Sequence, residues 1–361
     1  MDTLDTRITR LLGCRYPIIQ TAMGWVADPA LVAATGNAGG FGFLAGATIP
    51  PEQMEADILK VKSLTDANFG VNFHMYQPNA KDIVELVIKH GVKAVSYSRS
   101  PGKEMVARLK DNGVVCMPTV GLPKHAIKAV EMGADAVTVQ GGEGGGHTGA
   151  VPTTLLLPQV VDAVGDKVPV LGAGGFKDGR GLVAALAFGA DGIAMGTRFL
   201  LTKESPVPEQ TKARYLSCNN PADIVRSEAL DGLPQRMILN DFLAELEKSG
   251  PLKKLLIALR NGLAFRQFTG ASLPSLVKSA LAMSRSGDLT LAQAMMSANA
   301  PMIIQKAMVE GQPDIGVLPS GQVAGVIDTL LSCDELIAAI VTEANRRLDS
   351  LQNVRAGQGN D

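Results

Sequence analysis

PVLGAGGFKDGRGLVAALAFGADGIAMGTRFL, residues 169–200, holds the unit from which the first two hundred residues are built. A short apolar run, 169–175, ends in Ala173-Gly174-Gly175. Residues 181–188 then place apolar side chains at three- and four-residue steps, Gly189 stops them, and a second apolar run occupies 192–200. A short apolar run bounded by glycine reads as a buried strand, and the three-to-four period reads as an amphipathic helix. Strand, helix and strand in this order form a parallel βαβ unit.

The same unit recurs upstream. Further apolar runs lie at 17–23, 41–47, 69–75, 94–98, 114–120 and 136–141, which with 169–175 and 192–200 makes eight. Helical periods lie between them at 29–37, 52–64, 81–90, 103–111 and 124–132, several of them stopping at Gly91, Gly113 or Gly133. Eight such units predict an α/β protein with a closed (β/α)8 TIM barrel. An open doubly wound sheet would want a GxGxxG turn after the first strand, and Gln20-Thr21-Ala22-Met23-Gly24 stands there instead. Past residue 202 the pattern changes to helices and irregular turns rich in cations. The expected division is a barrel at 1–202 and 320–355 with a helical insertion, or lid, at 203–319, and a closing helix within 321–351.

Bulk composition narrows the function. The chain has 361 residues, 46% of them hydrophobic, enough for one large core. Lys and Arg number 34 against 35 Asp and Glu, a net charge of -1, so no global field gathers nucleic acid or an anionic membrane, and a small-molecule substrate is expected. Cys14, Cys116, Cys218 and Cys333 are far apart and form neither a CxxC pair nor a zinc cluster with the four histidines. Reduced thiols, a cytoplasmic location and no metal follow as expectations. Residues 1–10 lack an apolar signal region, and no run approaches the ~18 apolar residues of a membrane span. A homo-oligomer is left open.

In a (β/α)8 barrel the active site lies at the C-terminal strand ends. The seventh and eighth runs end in Gly174-Gly175 and Gly196-Thr197, where backbone N–H groups can approach an anion and a following helix adds its positive end. One glycine pair would only ease a turn; two on adjacent strands point to a phosphate cradle. The sixth run leads into Gln140-Gly141-Gly142-Glu143-Gly144-Gly145-Gly146-His147-Thr148-Gly149, six glycines in ten residues, an entropic cost that backbone contact with a ligand would offset. His147 stands in that loop and is either a surface or capping residue or, as we favour, a proton acceptor. Cys116 lies inside the fifth run, where a small buried hydrophobe is favoured over a nucleophile. His74 faces the site or packs, Glu143 contacts substrate or caps its loop, and Met295, Met296, Met302 and Met308 recur at packing intervals.

Residues 174–186 with 195–199, Pro17-Ile18-Ile19-Gln20 with Met23 and Trp25, Phe69-Gly70-Val71-Asn72, and Gly145-Gly146-His147 together resemble the nitronate monooxygenase family, formerly the 2-nitropropane dioxygenases. FMN-dependent enoyl reductases are relatives of that family. The resemblance covers essentially the whole barrel. It implies FMN, with the phosphate on Gly174, Gly175, Gly196 and Thr197, the ring near Ala22, Met23, Gly24 and Asn72, Gln140 and Gly145 lining the pocket, and His147 as catalytic base. Thr21-Ala22 stands where many nitronate monooxygenases have Gly-Gly, and Thr119 where some carry a lysine.

A narrower resemblance, carried by 139–149, 153–158, 297–301 and 316–322, is to a branch of that family in bacterial steroid degradation whose members are thought to desaturate a ring-bearing acyl-CoA. It implies an acyl-CoA substrate and NADH or NADPH as co-substrate, with the direction open. Within 249–266, Lys253, Lys254, Arg260 and Arg266 are then either a solvated helix face or the cations that hold the CoA phosphates. Three alternatives stand beside this reading: oxygen-dependent oxidation of an alkyl nitronate, a non-redox phosphate-binding isomerase or lyase barrel, and a flavin-binding protein without turnover.

Overall fold

A computed structural model describes residues 4–46, 49, 51–74, 79–98, 101–250 and 291–355. Each of the eight apolar runs forms a strand. They are β1 (Ile18–Gln20), β2 (Phe41–Ala45), β3 (Gly70–His74), β4 (Ala94–Ser98), β5 (Val115–Val120), β6 (Val137–Gln140), β8 (Val170–Ala173) and β9 (Gly192–Met195). A two-residue strand, β7 (Gly146–His147), falls between β6 and β8 and belongs elsewhere. The eight pair in parallel in the order β1-β2-β3-β4-β5-β6-β8-β9 and close through β1 and β9, where Ile18, Ile19 and Gln20 stand beside Ile193, Ala194 and Met195. The chain therefore folds as a (β/α)8 barrel.

The helices are α1 (Arg7–Leu12), α2 (Pro29–Asn37), α3 (Pro51–Leu64), α4 (Ala80–Lys89), α5 (Lys103–Asp111), α6 (Pro123–Glu131), α7 (Thr153–Val164), α8 (Gly179–Ala187) and α9 (Thr197–Leu200). Gly189, at φ +87°, follows α8 in the left-handed backbone its position predicted. Alternation sorts the strand side chains into two layers. Ile19, Phe41, Phe43, Met117, Leu171 and Ala194 fill the barrel with Ile8 and Leu12 of α1, while Val71, Phe73, Val95 and Cys116 face the helices with Ile58, Ile83, Val87 and Leu109.

Helix α1, absent from the sequence reading, is bound to the barrel by an ion pair 184 residues apart in sequence. Arg7 donates to both carboxylate oxygens of Asp191, Nε at 2.8 Å and Nη2 at 2.6 Å, and Nη1 donates to the Gly165 carbonyl. Asp191 is buried, and its Oδ2 also accepts from the amide of Val170 at the start of β8.

Two compact units make up the chain, residues 1–144, 149–206 and 329–361 forming one and 145–148 with 207–328 the other. The first unit ends in a long helix, and the second holds α10 (Glu209–Leu216), β10 (Ile224–Ser227), β11 (Gln235–Ile238), α11 (Asp241–Lys248) and α12 (Leu291–Met308). Among the described residues, the segment after the eighth barrel strand holds these helices and also an antiparallel ribbon, with Ile224 opposite Ile238 and Ser227 opposite Gln235. The ribbon strands are four residues each, too short for a period of two to register. Helical structure was expected from residue 321; instead Gln322–Val326 is a 3-10 turn, and the closing helix, α13 (Cys333–Arg355), begins later. Its Glu343 accepts a hydrogen bond from the Gly179 amide of α8.

Replacing Arg7 with Ala leaves the Asp191 carboxylate buried without its bidentate partner. We expect a loss of about 1–3 kcal/mol, read as a lower urea midpoint by circular dichroism. An unchanged midpoint would remove α1 from the interactions that close the barrel.

Candidate functional site

In the barrel unit the residues expected to hold a phosphate lie at two neighbouring strand ends. Gly174 and Gly175 both adopt left-handed backbone after β8, at φ +96° and +84°, which side-chain-bearing residues rarely do. A Cβ at Gly174 would stand 3.0 Å from the Gly144 amide nitrogen and 3.2 Å from the Gly141 carbonyl, so glycine also lets the loops after β6 and β8 meet. At the end of β9, a Cβ on Gly196 would stand 3.1 Å from Thr21 Oγ1 and 3.3 Å from Met23 Sδ. Thr197 is buried and opens the four-residue α9. The first turn of α8 is already occupied by carboxylates: Asp178 accepts from the Gly181 amide and Glu343 from the Gly179 amide. An anion at this end is therefore left to the glycine turns and α9.

The loop after β1 holds Ala22, Met23 and Gly24, all half-buried, and Trp25 follows at φ +60°. Left-handed backbone at so bulky a residue costs on the order of 1–3 kcal/mol and marks a turn its surroundings over-determine. Here the amides of Val26 and Ala27 both donate to the Met23 carbonyl, and the Thr21 amide donates to Met195 at the end of β9. Asn72 on β3 donates from Nδ2 to the Ser96 carbonyl and hydroxyl of β4, each at 3.0 Å, which fixes its amide. Gln20, at the end of β1, is fully buried; Nε2 donates to the Phe43 carbonyl while Oε1 has no hydrogen-bond partner. Such an acceptor is stabilised by a ligand bearing an N–H donor.

Glu143, which the sequence left between two roles, caps its loop. Its carboxylate accepts from the Thr153 amide, at 2.9 Å to Oε2, and from the Thr153 hydroxyl at 2.7 Å, at the start of α7. The carboxylate also meets the positive end of that helix. Thr153 Oγ1 is 3.0 Å from the Gly174 carbonyl, so Glu143, Thr153 and the Gly174 turn form one connected support. Gln140 packs its side chain against Gly144. On β3, His74 Nδ1 lies 2.8 Å from Ser98 Oγ. The Cys116 thiol is buried and pushed up to about 12 by desolvation, which suits packing and not nucleophilic attack.

The second unit holds His147. Within residues 145–148, β7 forms the third strand of its small sheet: it pairs antiparallel with β11, Gln235 opposite His147 and Arg236 opposite Gly146, and the Thr148 amide donates to the Pro234 carbonyl. The amide of Ser320 donates to the Arg236 carbonyl, and a Cβ at Gly145 would collide with Ser320 and Gly321, so Gly145 allows close backbone packing there. Asp231, between β10 and β11, reaches His147 with its carboxylate at 2.9 Å from Nε2, and Gln235 of β11 donates to that carboxylate. Sequence reading missed both, since they lie more than eighty residues on and carry no motif of their own. Lys253, Lys254, Arg260 and Arg266 lie outside the described residues. Among the described residues there is no cluster of metal-ligating side chains and no helix long and apolar enough to cross a membrane.

A family model described as nitronate monooxygenase matches residues 5–343. A (3aS,4S,5R,7aS)-5-hydroxy-7a-methyl-1-oxo-octahydro-1H-indene-4-carboxyl-CoA dehydrogenase of Rhodococcus jostii is 50% identical over 356 residues, covering 99% of this chain and 100% of the relative. A protein of the same name from Mycobacterium tuberculosis is 47% identical, covering 96% and 98%. Among solved structures, FabK from Thermotoga maritima superposes with a TM-score of 0.78 at 30% identity, covering 98% of this chain and all of that one.

Substituting Glu143 with Ala withdraws the acceptor from the first amide of α7 and from Thr153. The expected cost is about 1–3 kcal/mol, with faster amide exchange at residues 174 and 175, measured by thermal unfolding and by hydrogen exchange. Exchange at those glycines equal to the wild type would separate Glu143 from the turn after β8.

Proposed function

Since the chain belongs to the nitronate monooxygenase family, whose members are flavin-dependent oxidoreductases, we propose that it desaturates a ring-bearing acyl-CoA thioester with bound FMN and with NAD+ or NADP+ as co-substrate. The observation that carries this reading is the 50% identity to the Rhodococcus indene-carboxyl-CoA dehydrogenase, over an alignment that covers 99% of this chain and so spans residues 203–319 as well as the barrel. The relatives' designation as dehydrogenases favours the oxidative direction.

The residues present fit FMN. Two adjacent strand ends lack side chains at Gly174, Gly175 and Gly196, Thr197 follows with a hydroxyl, and Gln20 offers a buried acceptor beside the loop of Ala22, Met23 and Gly24. The phosphate is assigned to the glycine turns and Thr197, and the ring to Ala22, Met23, Gly24, Asn72, Gln140 and Gly145. Held there, FMN would supply the acceptor for the hydride leaving the substrate β-carbon, and a nicotinamide co-substrate would supply the oxidant that restores it. His147 removes the α-proton, which the thioester carbonyl acidifies, so that one proton and one hydride leave together with formation of the C=C bond. Lys253, Lys254, Arg260 and Arg266 supply charge-assisted hydrogen bonds to the CoA phosphates, a part of the proposal that rests on sequence alone.

Purified protein should be yellow and release FMN, not FAD, on denaturation, and anaerobic mixing with the thioester named for the relatives should bleach the flavin. His147→Ala should slow that reduction by roughly 10²–10⁴ with FMN retained. A colourless protein that takes up no FMN would return it to the non-redox barrels, and bleaching only by an alkyl nitronate, with reoxidation by oxygen, would make it a nitronate oxidase.

Removing all four cations should raise the acyl-CoA KM, and affinity for that substrate should fall with salt in the wild type alone, while reduction by NADH stays nearly unchanged. Equal KM values in the two proteins would leave the segment a solvated helix face.

A further inference from the structure

The ribbon that fixes the backbone of His147 also supplies its carboxylate. His147 Nε2 lies 2.9 Å from Asp231 Oδ2, yet the two side chains are unequally exposed, 58% for the histidine and 7% for the aspartate. Asp231 is not a loose surface partner. Its Oδ1 accepts from the Leu233 amide at 3.0 Å, and its Oδ2 accepts from Gln235 Nε2 at 2.6 Å. Gln235 is buried and is the residue that stands opposite His147 in the ladder. One register therefore places both the histidine and the amide that fixes its partner.

The turn between the ribbon strands is equally constrained. Leu230 is fully buried, the Gly232 amide donates to the Glu228 carbonyl, and Gly232 takes the left-handed backbone at φ +82°. On the strand before it, Ser227 hydrogen-bonds Glu247 and stands opposite Gln235. An ion pair with one exposed partner contributes little to stability, whereas burying a carboxylate is unfavourable unless donors surround it. A buried carboxylate held by two other donors and directed at an exposed imidazole is therefore better explained by control of that imidazole than by stability.

We propose that Asp231 is a positioning residue for His147. The ionised carboxylate accepts Nε2–H and fixes the tautomer whose lone pair is on Nδ1, and Gln235 fixes the carboxylate. Nδ1 is then the nitrogen that accepts the substrate proton, a consequence that rests on the base assignment above. Orientation of an imidazole by a buried carboxylate is a recurrent device in proton transfer.

The purified holoprotein, labelled with 15N in its four histidines, offers a test that does not depend on turnover. Long-range 1H–15N spectra at pH 8, with His147 assigned by its loss in His147→Gln, should show Nε2 protonated in the wild type and a mixture of tautomers in Asp231→Asn. Flavin reduction by the acyl-CoA should slow roughly 10²-fold in Asp231→Asn with KM within about threefold, and Asp231→Asn should have no further effect in a His147→Gln background. Gln235→Met keeps the carboxylate and should move both readouts the same way by less, which guards against a failure of Asp231→Asn to fold. An unchanged His147 tautomer in Asp231→Asn and Gln235→Met, or rate losses that simply add in the double variant, would overturn the proposal. Full turnover in His147→Gln alongside an Asp231-dependent tautomer would overturn the base assignment and leave the tautomer assignment standing.

Discussion

Everything in the barrel unit depends on the closing ladder between β1 and β9. Strand β1 has only three residues, yet it pairs with β2 on one side and β9 on the other, so a ring of eight strands has no edge. Closure makes neighbours of strand ends far apart in sequence: the Thr21 amide donates to Met195, and a Cβ at Gly196 would press on the side chains of Thr21 and Met23. The opposite end is braced by Arg7, whose guanidinium links α1 to Asp191 and to Gly165. One end is thus filled and fixed, and the other is left to loops.

The glycines of those loops have two explanations that the sequence alone merges. Gly174 and Gly175 need their backbone conformation, Gly174 also lets the loops after β6 and β8 meet, and Gly141 and Gly144 pack closely on Thr153 of α7 and on Gln140: a Cβ at Gly141 would lie 2.1 Å from Thr153 Oγ1. Glu143 belongs to the same packing, as the cap of α7. The excess of glycine that suggested contact with a bound molecule therefore reflects loop-to-loop contact as well.

The sequence made the barrel legible because strand and helix periods are local and repeat eight times, and the glycine-ended runs within residues 169–200 marked out a candidate phosphate site. What it hid is non-local or short. Arg7 and Asp191 are 184 residues apart, and each is unremarkable in its own neighbourhood. The ribbon strands 224–227 and 235–238 contain Arg226, Ser227, Gln235 and Arg236, so neither reads as an apolar run. Helix α7 carries Pro158 in its interior, which masks a helical period. The partner of His147 was hidden for the same reason as the floor of the barrel: topology, not spacing, brings Asp231 to it.

Residues 145–148 leave the run of β6 and join a sheet made by the segment that follows the eighth barrel strand. The inheritance of this histidine is accordingly divided. Its identity is written in a loop of the barrel sequence, but its backbone geometry and its carboxylate are written some eighty to ninety residues later. A recombination that exchanged residues 207–328 between homologues would keep the histidine and replace what orients it. New surroundings for this histidine are therefore open to descent by segment exchange, with every barrel strand left as it was.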